Sequence, residues 1–171
     1  MKNRNETTKK AAFIGLFTAL ALLLSYVEVL LPPLFVSVPG IKMGLANIAI
    51  IYILFSFGIK YAFAVSIVRV FVVSMLFGSV LTLCYSVAGA VLSLVVMGLL
   101  KKFDFLSEVG VSVAGGVCHN IGQILVAVAL LGTPQIAYYL IVLTFTGIVS
   151  GTFVGLCSAF LVKRLPFNKF N

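Results

Sequence analysis

Six long apolar runs, with nearly every charge held at their ends, constrain this chain more than any other feature. They are Ala11–Leu31, Met43–Phe57, Tyr61–Phe77, Val80–Leu100, Val109–Leu131 and Gln135–Val162. A helix rises about 1.5 Å per residue, so about 20 apolar residues cross the hydrocarbon core of a bilayer. The first, fourth and fifth runs fit that length. The second and third are short, and Gly58 predicts a tight connection between them. The sixth is long enough to tilt or protrude. Lipid offers no partner to backbone N–H and C=O groups, so such runs must be helices; a closed barrel would show period-two patterning. The expectation is an all-α integral membrane protein with six transmembrane helices in a single domain, residues 1–171.

Composition points the same way. A soluble domain covers its core with charge, commonly about a quarter of its residues. Here 62% of the residues are hydrophobic and only 9% are charged, so a bilayer must replace water around most of the surface. The net charge of +8 does not indicate nucleic acid, because the basic residues lie at segment ends and form no stripe interleaved with aromatics. Lys2, Arg4, Lys9 and Lys10 precede the first run as they would a signal peptide. That run lacks a small-x-small cleavage pattern and is long enough to span, so it reads as the first membrane helix. Cys84, Cys118 and Cys157 all sit inside apolar runs and read as packing residues, not as a disulfide framework.

Basic residues also set the orientation. With the N-terminus inside, the cytosolic segments hold Lys2, Arg4, Lys9, Lys10, Lys60, Lys101, Lys102, Lys163, Arg164 and Lys169, which leaves only Lys42 and Arg69 of the 12 basic residues. Both termini are therefore expected in the cytosol, with the chain in the plasma membrane. Lys42 ends the longest outer connection, Pro32–Lys42, where three prolines and a glycine prevent helix. That loop either packs onto the bundle as a cap or rests on the headgroups.

Polar side chains within a span are costly and mark candidate sites. They are Glu28, Asn47, Arg69, His119, Asn120 and Gln123, with Lys42 at the outer rim. Arg69 lies mid-helix and needs an anion, carbonyls or a wet cavity. A pair with Glu28, the only carboxylate within a span, is one answer; an anionic ligand also met by Lys42 and His119 is the other. Gly115, His119, Gly122 and Gln123 share one helix face by their spacing, which makes either a pocket wall or a polar seam between helices. Asn47 follows Gly44 and Ala46, and a helix N-terminus at Met43–Gly44 would turn its amides outward as an anion seat. Ala11, Gly15 and Ala19 form a small-xxx-small ridge that lets a helix pack closely, within the bundle or outside it.

The stretch Pro39–Ile48 (PGIKMGLANI) resembles a signature of the Gx transporter family, also labelled heptaprenyl diphosphate synthase component I. The stretch Gly115–Ile124 (GGVCHNIGQI) resembles its second signature, and the likeness runs over nearly the whole chain in order and spacing. That family is similar to the substrate-binding S components of energy-coupling factor (ECF) transporters. The resemblance implies a six-helix S-component-like bundle with an outward pocket, lined by Asn47, Arg69, His119, Asn120 and Gln123, and a lid at Pro32–Lys42. It also implies docking through Ala11, Gly15 and Ala19 to a transmembrane coupling protein driven by two cytosolic ATPases. Polyprenyl or quinone precursors and flavins are the ligands that it brings into view. No ligand motif of a vitamin-specific S component is present.

Catalysis by the chain alone is not expected. Prenyl chain elongation seats diphosphates on Mg²⁺ held by clustered carboxylates, whereas the four acids here, Glu6, Glu28, Asp104 and Glu108, form no such cluster in sequence. There is no Walker loop, so any ATP-driven work needs a partner. No metal site or cofactor of the chain's own is expected. The function expected is binding and transport of a small anionic, partly apolar molecule as a subunit of an ECF-type transporter. The alternative is a non-catalytic membrane accessory protein, in extracellular electron transfer and flavin trafficking or as component I of a prenyl synthase.

Overall fold

A computed structural model of the chain describes residues 2–31, 44–104 and 106–165, with side chains from residue 7 onward. Among the described residues all regular structure is helical: α1 (Lys2–Leu30), α2 (Asn47–Phe57), α3 (Ile59–Phe77), α4 (Val80–Lys102), α5 (Glu108–Leu131) and α6 (Tyr139–Arg164). A 3₁₀ turn, Pro134–Tyr138, leads into α6. It replaces the start of the long sixth run, where Pro134 fixes φ at the first position of the turn.

Five of these segments are long and apolar enough to cross a membrane. Their outward faces are apolar as well, with Ile141 78% and Phe145 69% exposed, which water would penalise and lipid would not.

The second run differs from its expected bounds. Its helix starts at Asn47, because Gly44 takes a left-handed φ of +71°; Met43 lies outside the described residues. At about 1.5 Å per residue, α2 is about 16 Å long, roughly half the hydrocarbon thickness. It is also the most enclosed helix. Ala49 through Leu54 are each at most 1% exposed, so no face of α2 meets lipid, as expected of a helix apolar all round. Phe17 of α1 stacks on Tyr52 at 4.0 Å, and the Tyr52 hydroxyl donates to the Leu165 carbonyl at 2.8 Å.

The far end of α2 is closed by the protein itself. Lys101 Nζ donates to the Leu54 carbonyl at 2.6 Å and to that of Phe55 at 3.3 Å, placing a cation where the helix dipole is negative. Gly58 alone joins α2 to α3, at a φ of +95° that suits glycine.

Glycines bring α4, α5 and α6 together backbone to backbone. A Cβ on Gly122 would lie 2.8 Å from the Ala88 carbonyl oxygen, one on Gly116 2.7 Å from that of Gly147, and one on Gly151 2.8 Å from Val113 Cα. Ser112 Oγ fastens the same seam by donating to the Gly151 carbonyl at 2.7 Å.

Candidate functional site: a cavity at one end of the bundle

All six helices line a cavity of about 640 Å³, within the range that holds a metabolite-sized ligand. Ser25 and Glu28 come from the C-terminal part of α1, Arg69 and Phe77 from that of α3, and His119 and Gln123 from α5. Asn47 comes from the first turn of α2, Tyr85 from the first half of α4, and Tyr139 and Leu143 from the start of α6. These parts share one end of the bundle. Lys10, Lys60, Lys101, Lys102, Lys163 and Arg164 belong to the opposite helix ends, where Lys10 Nζ sits 4.2 Å from the Tyr61 ring centroid. The polar cavity and the basic rim are thus separated along the bundle axis.

Arg69 is the central cation of the cavity wall. Its Nη1 donates to Asn47 Oδ1 at 3.1 Å, while its Nε is buried with no hydrogen-bond partner among the described residues. Glu28 acts on Arg69 through its charge, yet no Glu28–Arg69 ion pair forms within 4.0 Å. Glu28 Oε1 instead accepts from the Leu45 N–H at 2.9 Å. The direct pair, one of the two sequence alternatives, is not what forms.

The anion seat expected at Met43–Gly44 is corrected by the same geometry. The Asn47 N–H donates to the Gly44 carbonyl at 2.8 Å and the Ile48 N–H to that of Leu45 at 3.1 Å. A turn therefore precedes the helix, and an internal carboxylate takes the Leu45 amide. Left-handed backbone at Gly44 explains the shift, since a helix cannot run through it.

The fifth helix serves as pocket wall and packing seam at once. A Cβ on Gly89 would lie 3.0 Å from both the His119 ring and Gln123 Cγ, so these two side chains bear on α4 while lining the cavity. Gly115 meets Met97 and Ser93, and Gly122 meets Ala88 and Gly89; both glycines serve close helix packing. Asn120 lines the cavity too, but its Nδ2 donates to the Leu143 carbonyl at 2.6 Å, which ties α5 to α6.

Arg69, Asn47, Glu28, His119, Asn120 and Gln123 thus border one space. Lys42 and the expected lid Pro32–Lys42 lie outside the described residues. Ala11, Gly15 and Ala19 lie elsewhere, exposed on α1, with nothing within 4 Å of a Cβ built on Gly15. Sequence reasoning missed Ser25, whose buried hydroxyl has no hydrogen-bond partner among the described residues, and the aromatic lining residues Phe77, Tyr85 and Tyr139. It also missed Gly147, Gly151 and Gly155, whose spacing of four was a readable packing signal. Among the described residues no three His, Cys, Asp or Glu side chains gather as a metal site would require, and the three cysteines are free thiols.

No curated protein and no solved structure matches the chain. A sequence profile for heptaprenyl diphosphate synthase component I matches residues 17–161, a range that includes both signature stretches and most of the bundle. The protein belongs to that family.

Proposed function

We propose that this protein is an S-component-like membrane subunit of an ECF-type transporter, which takes up a small anionic, partly apolar molecule in its cavity. In this reading α2 makes the sixth crossing as a short inner helix, and the cation-rich end and both termini face the cytosol. The positive-inside tendency supports that orientation, and it turns the cavity outward from the plasma membrane. The chain is not catalytic alone. Partner ATPases hydrolyse ATP, and a transmembrane coupling protein docks on Ala11, Gly15 and Ala19. The exposure of this ridge supports docking, since small residues that do no packing of their own leave a smooth surface for another helix.

One observation carries the reading: a cavity of about 640 Å³ holds a cationic side chain that is positioned by Asn47 and, among the described residues, makes no direct ion pair. An isoprenoid or quinone precursor and a flavin both combine an apolar body with an acidic group. A second reading is favoured by the family's name, which implies assembly with other components. In it the chain is a non-catalytic membrane partner of a prenyl synthase, or an accessory protein in flavin trafficking, and the polar face only holds helices together.

Purification in mild detergent separates the two. The transporter reading expects ATPases and a coupling protein to co-purify and to be lost on Gly15→Leu. A prenyl synthase subunit recovered in their place would overturn it.

A further inference from the structure

The cavity holds two opposite charges that do not satisfy one another. Arg69 is a donor-only group: Asn47 takes Nη1, and Nε is buried without a partner. Glu28, when ionised, is an acceptor-only group with about four lone-pair directions. Among the described residues its hydrogen bond is the one from the Leu45 N–H to Oε1. Each is held back from the other by a partner of its own, Arg69 on α3 by Asn47 and Glu28 on α1 by the turn before α2. A purely anionic ligand would answer Arg69 and at the same time face the Glu28 carboxylate, and like charges repel strongly where water is scarce.

We propose that the cavity selects a small molecule carrying hydrogen-bond donors as well as an anionic group, the donors meeting Glu28 and the anion meeting Arg69. This rests on the ligand-binding reading above and narrows it. An isoprenoid diphosphate has an acceptor-only head and no donor for Glu28, so it is disfavoured. A planar molecule with N–H groups and an acidic substituent fits better, and the aromatic residues Phe77, Tyr85 and Tyr139 are among those that line the space.

The test uses the full chain in detergent, as wild type, Glu28→Gln and Arg69→Gln. Glutamine at position 28 keeps an oxygen for the Leu45 N–H, and thermal unfolding of each variant confirms that it is folded. Farnesyl diphosphate is the donor-free probe. Removal of the Glu28 charge should strengthen its binding about tenfold or more; equal or weaker binding in Glu28→Gln overturns the proposal. In parallel, small molecules extracted from wild type are identified by mass spectrometry. An anionic molecule with N–H donors, retained at least about tenfold less by Glu28→Gln, supports the proposal. A retained molecule without donors overturns it yet leaves the ligand-binding reading intact. Nothing retained, with no farnesyl diphosphate bound to any form, overturns both.

Discussion

Two ladders of small residues with the same four-residue spacing have opposite fates in this bundle. On α6, Gly147, Gly151 and Gly155 are buried. A Cβ at any of the three would come within about 3 Å of α5, with Gly151 and Gly155 both 2.8 Å from backbone Cα atoms. On α1, Ala11, Gly15 and Ala19 are exposed, and Gly15 faces open space. Spacing makes a helix face smooth; it does not say what is pressed against it. In a membrane that difference matters, because lipid tails are as apolar as leucine and give helices no hydrophobic reason to associate. Close backbone approach has to supply dispersion contacts instead. The α6 ladder does so within the chain, and the α1 ladder leaves the same capacity unused.

The largest effect should therefore come from the α6 side. Gly151→Leu forces a side chain into the Val113 backbone and should destabilise by about 3 kcal/mol or more. Detergent thermal unfolding that shifts no more than it does for Gly15→Leu would erase the contrast between the ladders. Lys101→Met comes next. It leaves the Phe55 carbonyl unmet and the Leu54 carbonyl with only the Gly58 N–H, at a cost of about 1–3 kcal/mol. Unchanged stability would show that α2 is not held at its far end by this cation.

Asn47→Ala frees one edge of Arg69 and should lower affinity for the bound molecule about tenfold, with a stability loss of about 1 kcal/mol. An intact affinity would mean that Asn47 does not position the guanidinium. The smallest stability effect belongs to Gly15→Ala, which gains helix propensity of up to about 1 kcal/mol with nothing to clash against. Loss of stability there would reveal a contact for the α1 ladder within the chain.

The architecture was readable in the sequence wherever hydrophobicity alone decides. α3, α4 and α5 begin and end within about two residues of their apolar runs, because lipid leaves their backbones no alternative to helix. α2 was less readable. Its run continues through Gly44 without a polar break, and only the left-handed backbone there shows where the helix starts. The candidate polar residues were legible individually, since each is conspicuous in an apolar run. Their partners were not. Glu28 and Arg69 look like a pair on charge alone, but Leu45 and Asn47 hold them apart, and backbone amides carry no mark in a sequence. Lys101 read as a simple positive-inside residue, although it also closes the end of α2.

The central claim is that Arg69 holds a ligand in this cavity, and native mass spectrometry of wild type beside Arg69→Gln tests it most directly. The account predicts a small molecule bound to wild type and missing from a variant that unfolds at the same or a higher temperature, since the substitution removes a buried, partnerless Nε. The same molecule bound equally to both proteins would contradict it.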